Sequence, residues 1–293
     1  MIEKNGLVVE GGGMKCAYSA GILDRFLDDH INFDYCIGVS AGAANTLSYL
    51  AGQRGRNLRF YTKHLDDPRY LSIHSLIHTG NLFGLQYIYG TLTNSDGADP
   101  IDYPAIMRNP SEFYMPATDA KTGCAIYFTK YDIIRDDYRT VMATCALPGF
   151  CRPVEIDGHF YYDGGVADSI PVSHALSRGC KKLVVILSNP RDFVKQPEAH
   201  RPIYKRMLRK YPNTIDSIDH RHINYQHSID LANQLEKDGT AFIFAPSRHV
   251  PLSTFSRDAA LEQELYDLGV ADYNARSAAL KQFLSREEEK ETL

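Results

Sequence analysis

Gly38-Val39-Ser40-Ala41-Gly42 constrains this chain more than any other stretch. It lies between a short apolar run, Tyr35-Cys36-Ile37, and a run of small residues with Ala43, Leu47, Leu50 and Ala51 on one side. G-x-S-x-G between a strand and a helix demands that the chain reverse within a few residues, with the serine at the apex. A Cβ at either flank would clash in such a turn, so Gly38 and Gly42 make it possible. The serine then stands at a helix N-terminus, where free N–H groups and the helix dipole favour developing negative charge.

A second glycine signal comes before it. Leu7-Val8-Val9 reads as a strand and runs into Gly11-Gly12-Gly13. Ser19, Ile22, Leu23, Phe26 and Leu27 then fall on one face of a 3.6-residue period. Strand, glycine loop, helix, strand, turn, helix is the order of an α/β protein with parallel strands. Further strands are predicted at Ala125–Tyr131, Phe160–Tyr162, Leu183–Leu187 and Phe242–Ala245. Residues 72–115, rich in Gly, Tyr, Asn and Pro, read as a long irregular excursion over the sheet. Residues 258–284 read as helical, and Arg286–Lys290 as a charged, solvated tail. No linker or internal repeat divides the chain, which predicts one domain over 1–293.

Composition narrows the class. Of 293 residues, 44% are hydrophobic and 23% charged, which excludes a disordered or fibrous chain. A net charge of −4 offers no broad cationic surface, so no nucleic-acid partner is expected. The longest apolar run is five residues, whereas a membrane-spanning helix needs about 20. Met1–Gly6 lacks the basic-then-apolar plan of a signal peptide. The six cysteines form no CxxC pair and fit no common zinc module. They read as reduced thiols of a cytoplasmic protein, with no metal site.

Gly11-Gly12-Gly13-Met14-Lys15 exposes backbone N–H groups that can cradle a phosphate or an oxyanion. A dinucleotide fingerprint would require glycine at 16, where Cys16 stands, and the second strand ends in the serine elbow rather than in an acidic residue. With Ser40 downstream, an oxyanion hole is the better reading. A nucleophilic serine needs a base, and the usual one is histidine backed by a carboxylate. None of the eleven histidines stands in a distinctive turn. Tyr161-Tyr162-Asp163-Gly164-Gly165-Val166 is distinctive: an Asp at a strand tip beside two glycines can reach across a cleft. Asp-Gly by itself also makes an ordinary tight turn.

Gly11–Lys15, the Gly38–Gly42 elbow and Asp163-Gly164-Gly165 together resemble the patatin-like phospholipase family. Ala143–Phe150, Pro153 and the run from Asp163 to Pro171 match it as well. The resemblance covers residues 6–187 as a motif-bearing core, with 188–293 as a C-terminal extension packed on it; weaker similarity continues through Arg191–Tyr225 and Leu235–Pro246. It implies a three-layer α/β/α patatin-like fold with a largely parallel central sheet. It also implies a Ser–Asp dyad without a catalytic histidine. In that scheme Ser40 is the nucleophile, Asp163 the general base, and Gly11, Gly12 and Gly13 the oxyanion loop. Lys15 sits where the family carries a basic residue, and Gly38, Gly42, Gly164 and Gly165 support the motifs. Cys16 stands where many members have glycine, and Ser169 where many have asparagine.

The implied activity is a serine acyl hydrolase, a lipase or phospholipase A-like esterase with no cofactor, acting on acyl-lipid or other ester substrates. A lipid-binding regulator or an acyltransferase on the same fold is the alternative. An unperturbed Asp is a poor base for a hydroxyl, so the site must be partly desolvated, with Tyr161 and Tyr162 as a candidate wall. Leu76, Ile77, Leu82, Phe83, Leu85, Tyr87, Ile88 and Tyr89 could build an acyl groove or a lid, or simply pack as core. Arg201, Lys205, Arg206, Arg209, Lys210 and Arg221 form a local basic patch, read first as a solvated helix face. It leaves peripheral contact with anionic headgroups at a membrane surface open. Nothing in the residues points to an oligomeric state.

Overall fold

The computed structural model describes residues 4–285. The expected tail Arg286–Lys290 lies outside the described residues.

The chain begins with β1 (Lys4–Val9), a 3-10 turn at Gly13–Cys16, α1 (Ala17–Asp28), β2 (Tyr35–Gly38) and α2 (Ala41–Leu50). The helices α3 (Arg56–Tyr61), α4 (Ile73–Thr79), α5 (Leu85–Tyr87) and α6 (Tyr103–Arg108) precede β3 (Glu112–Asp119) and β4 (Ala125–Thr129). Next come α7 (Arg139–Thr144), β5 (Val154–Ile156), β6 (His159–Asp163), α8 (Val172–Ser177) and β7 (Cys180–Ile186). The last elements are α9 (Arg201–Met207), α10 (Pro212–Lys237), β8 (Ala241–Phe244) and α11 (Ala259–Ser285).

All the strands join one sheet in the order β5-β6-β3-β2-β1-β7-β8, with β4 paired to β3. The pairs β1–β2, β1–β7, β2–β3 and β7–β8 are parallel, and the strands beyond β3 are antiparallel. The largely parallel α/β sheet expected from the sequence is therefore present. Side chains alternate along each strand. Leu7 and Val9 join a core with Phe26 of α1, Leu47 of α2 and Tyr273 of α11, whereas Val8 joins Val172 of α8 and Tyr225 of α10 on the other face. Helices thus cover both sides of the sheet. Among the described residues no helix is long and apolar enough to cross a membrane.

The register places Val9 beside Gly38 on one side and Ile186 on the other. The loops leaving β1, β2 and β7 therefore open together at the carboxyl ends of parallel strands, where open α/β sheets bind ligands.

The expectation of an irregular excursion over residues 72–115 is corrected. That stretch holds α4, α5 and α6, and β3 begins at Glu112. None of these helices exceeds seven residues, too few to display a 3.6-residue period. The strand β3 contains Pro116, a residue that argues against a strand interior. All six cysteines are free thiols, five of them buried and Cys124 exposed.

The C-terminal part is built into the same layers. The strand β8 extends the sheet beyond β7, and α11 lies along α1. Those two helices cross through glycines. A Cβ on Gly21 would lie 2.2 Å from the Tyr266 carbonyl oxygen, and one on Gly269 2.3 Å from that of Tyr18.

Candidate active site

Ser40 follows β2 and caps α2 with φ 54° and ψ −129°, a conformation rare outside glycine. The surrounding hydrogen bonds enforce it. Val39 N–H donates to Val9 O at 3.0 Å and Gly42 N–H to Val39 O at 2.8 Å. The Ser40 N–H donates to Thr144 Oγ1 of α7 at 3.0 Å. A Cβ on Gly42 would lie 2.5 Å from Glu10 O, and one on Gly38 2.7 Å from Gly42 O. Backbone occupies both flanks, so neither position accepts a side chain.

Ser40 opens into a cavity of about 640 Å³. Gly11, Gly12, Gly13, Lys15, Asp163 and Gly165 line the same cavity, while Gly38, Gly42 and Gly164 stand behind it in the turns. Lys15 N–H closes the loop on Gly12 O at 3.3 Å, and Met14 N–H donates to Thr254 O at 3.3 Å. The N–H groups of Gly11, Gly12 and Gly13 take part in no backbone hydrogen bond among the described residues. Three loop N–H groups therefore have no backbone partner in the loop that shares this cavity with Ser40.

Asp163 ends β6 and is 4% exposed. Its N–H donates to Ala146 O at 2.9 Å, its carbonyl accepts from Thr118 Oγ1 at 2.8 Å, and its Oδ1 accepts from Gly165 N–H at 2.7 Å. Burial pushes its carboxyl above the ordinary range, and the Ser40 side chain, the Gly165 N–H and the Arg221 guanidinium oppose that shift. Of the eleven histidines only His200 lines the cavity, and among the described residues no histidine hydrogen-bonds to Ser40 or Asp163.

The candidate wall of Tyr161 and Tyr162 is not found. Tyr162 packs edge-on against Tyr211 and Tyr161 against Phe128, and neither lines the cavity. The two tyrosines that precede Asp163 on β6 serve the sheet and its packing, not the cleft. Cys145 fills the place instead. Its buried thiol interacts with both Ser40 and Asp163, and the Tyr89 hydroxyl lies 3.4 Å from its sulfur. Burial pushes that thiol well up, so it stays neutral.

One end of the cavity is charged. Lys15 Nζ donates to Asn189 Oδ1 at 2.8 Å and faces the Phe193 ring. Glu198 accepts from Arg221 Nη1 at 3.1 Å and pairs with Lys195 Nζ at 3.2 Å. Arg221 Nε and Ser169 Oγ both donate to Gly165 O, so the loop after Asp163 is held from two sides. Glu10 is buried at this end, accepts from Ser188 N–H at 2.7 Å, and is pushed up by burial. Apolar side chains, among them Phe60, Tyr70, Phe83, Leu85, Ile88 and Phe150, also line the cavity, and buried Arg56 stacks on Phe60. Of the residues read as a possible acyl groove, Phe83, Leu85, Ile88 and Tyr89 line the cavity. Leu76 and Ile77 are instead exposed on α4, and Tyr87 donates its hydroxyl to Asp67 at 2.9 Å.

Sequence reasoning missed Thr144, Cys145, Lys195, Glu198 and Arg221 as parts of this site. Thr144 is 104 residues from Ser40, and Arg221 is 56 residues from Gly165. Only folding brings them together, and no spacing announces it. Arg221 also corrects the reading of the basic patch as a solvated face, because it turns inward while Lys205, Arg206, Arg209 and Lys210 stay exposed.

A serine elbow at the carboxyl ends of a largely parallel sheet, opening into a partly apolar cavity, places the protein among α/β lipid esterases and hydrolases. The chain belongs to the patatin-like phospholipase family, whose model matches residues 7–176, more than half of it. A domain of unknown function, DUF6363, matches residues 211–285. The chain is 30% identical over 279 residues to the uncharacterized protein YjjU of Escherichia coli (strain K12), covering 90% of this chain and 74% of that protein. Among solved structures it is similar to VipD from Legionella pneumophila, with a TM-score of 0.41 and 14% identity over 90% of this chain and 67% of that one.

Proposed function

We propose that this protein is a serine acyl hydrolase that cleaves lipid carboxylic esters through a Ser40–Asp163 dyad. The observation that carries this reading is the meeting of the Ser40 side chain, the Asp163 carboxylate and three unbonded glycine N–H groups in one cavity. The ester carbonyl enters between Ser40 and the glycine loop. Asp163 takes the hydroxyl proton as Ser40 Oγ attacks, and the loop N–H groups receive the oxyanion, each worth about 3–4 kcal/mol in comparable sites. The tetrahedral adduct collapses, and the leaving alkoxide takes the proton from Asp163. Water then attacks the acyl-serine with Asp163 as base again, which releases the acid and restores the hydroxyl. Acyl transfer through serine needs neither metal nor cofactor.

The cavity suits an amphiphile. An acyl chain would lie along Phe60, Phe83, Leu85 and Ile88, with the polar part of the ester toward Lys15 and Arg221. Cys145 and the buried setting of Asp163 supply the desolvation that makes a carboxylate a competent base.

The test is a lipid-ester panel assayed with wild type, Ser40→Ala and Asp163→Asn, alongside fluorophosphonate labelling. Ser40→Ala should lose several orders of magnitude in kcat/KM and all labelling, and Asp163→Asn should fall almost as far. Either variant within about tenfold of wild type overturns the dyad. Added acyl acceptors that divert most of the product to a new ester would make it a transferase instead.

A further inference from the structure

Two short helices, α9 at the mouth of the cavity and α4 linked to it through the segment that follows, expose the wrong side chains for a surface meant only for water. On α9, Ile203 and Met207 are 59% and 57% exposed and also line the cavity, so they stand at its opening. They lie four residues apart, hence on one face of the helix. On α4, Ile73 and Ile77 repeat the pattern at 71% and 74% exposure. The end of α4 is tied to the mouth: Leu82 N–H donates to Phe150 O at 2.7 Å, Arg152 N–H donates to Asn81 Oδ1 at 2.7 Å, and Phe150 lines the cavity half-exposed.

The exposed charges on α9 and directly after it are basic; nearby Glu198 and Asp219 are taken up in ion pairs, and Asp216 of α10 lies 3.5 Å from His220. Neither α4 nor α9 contains an acidic residue. Lys205, Arg206, Arg209 and Lys210 are exposed, and none is in an ion pair among the described residues. Arg201 alone is neutralised, by Asp219. The whole chain carries a net charge of −4, so this concentration of cations is local and opposes the overall balance. The helix α9 buries none of its own residues and is anchored through Tyr204 to Asp219 and by the following Leu208. Its apolar and basic side chains are therefore free for something outside the fold.

Exposed isoleucine and methionine beside unpaired lysine and arginine is the surface chemistry of an interfacial helix, which sinks its apolar face to the headgroup boundary while its cations meet anionic lipid. A protein partner would have to offer acidic and apolar groups in matching places; a bilayer offers both everywhere. We propose that α4 and α9 form a docking face for an anionic lipid bilayer, which sets the cavity mouth against the membrane so that a lipid can enter without crossing water. The proposal deepens the lipid-ester reading and rests on it for its purpose, though not for its measurement.

The full chain is mixed with vesicles of phosphatidylcholine alone or of phosphatidylcholine with a minority of phosphatidylglycerol, and binding is read by cosedimentation. The anionic vesicles should bind the protein, neutral ones much less, and rising salt should weaken the difference. Two double variants, Ile73→Asp with Ile77→Asp and Lys205→Glu with Arg206→Glu, should each weaken binding about tenfold or more. Neither pair touches the reacting groups, so hydrolysis of a water-soluble short-chain ester should stay at the wild-type level, which also shows that the variants fold. Wild-type protein that stays in solution with every vesicle overturns the proposal and assigns the face to a protein partner. Variants that bind as wild type does overturn it too. Vesicle binding without hydrolysis of any ester leaves the docking face standing and removes the hydrolase reading; hydrolysis without vesicle binding does the reverse.

Discussion

Asp163 carries two opposing demands. As the base of the proposed dyad it must be basic enough to take a proton from a serine hydroxyl, yet ionised while it waits. Burial raises its pKa, while the Ser40 side chain, the Gly165 N–H and the Arg221 charge oppose the shift. The base works only as the carboxylate, and the ionised fraction grows as pH rises through the raised pKa. The acidic limb of kcat/KM should therefore lie above the ordinary aspartate value of about 3.9. Arg221→Gln removes a charge that favours the ionised form, so the limb should move to higher pH. The loss of activity should then be larger on the acidic side than at alkaline pH. A loss equal at every pH would mean that Arg221 acts only by holding Gly165 O in place. In the proposed mechanism Arg221 acts through Asp163 and the Gly165 loop, and the pH profile separates its electrostatic part from its hold on that loop.

The elements differ in how readable they were. The elbow, the glycine loop and α1 are legible because each is local: a strand, a turn and a helix specified by contiguous residues. The strand β7 and the helix α11 are legible from an apolar run and a long pattern, although β7 starts at Cys180, before its apolar run begins at Leu183. The strand β5 has three residues and β3 carries Pro116, so neither has a pattern to recognise. The site divides the same way. Ser40 and Asp163 stand in motifs, whereas Thr144, Cys145 and Arg221 matter through contacts made only in three dimensions. Glycine at 269 escaped notice for that reason, since its neighbour is the carbonyl of Tyr18 on α1. Gly269→Val should force α11 away from α1 at a cost of about 2–3 kcal/mol. A Tm about 3–5 °C lower than wild type is expected. Ala279→Val, on the exposed side of the same helix, should change Tm by little. Equal effects of the two would show that the crossing tolerates a side chain and that the close approach is not required.

At the scale of the molecule, the two family matches, over residues 7–176 and 211–285, do not divide the physical structure. The strand β8 completes the sheet on β7, and Phe242 and Phe244 enter the same core as Leu7 and Val9. Three tyrosine–aspartate bonds cross between α1 or its end and α11: Tyr18 to Asp272 at 3.0 Å, Tyr266 to Asp24 at 2.7 Å and Tyr273 to Asp29 at 2.7 Å. Arg257 donates to Leu65 O at 2.9 Å, and Arg221 reaches the loop after Asp163. Removing the C-terminal part would expose the β7 edge, uncover α1 and strip one wall from the cavity. Such mutual burial predicts a single cooperative unit over the described residues 4–285. Denaturant unfolding followed by far-UV circular dichroism reports α10 and α11 strongly, because they are the two longest helices. Near-UV dichroism reports the buried tyrosines of the whole core, those between α1 and α11 among them, with no tryptophan to obscure them. The two curves should superimpose with one midpoint. An early far-UV step that leaves the near-UV signal intact would show that part of the C-terminal region opens alone. An early loss of the tyrosine signal would show instead that side-chain packing loosens throughout the core before the helices melt.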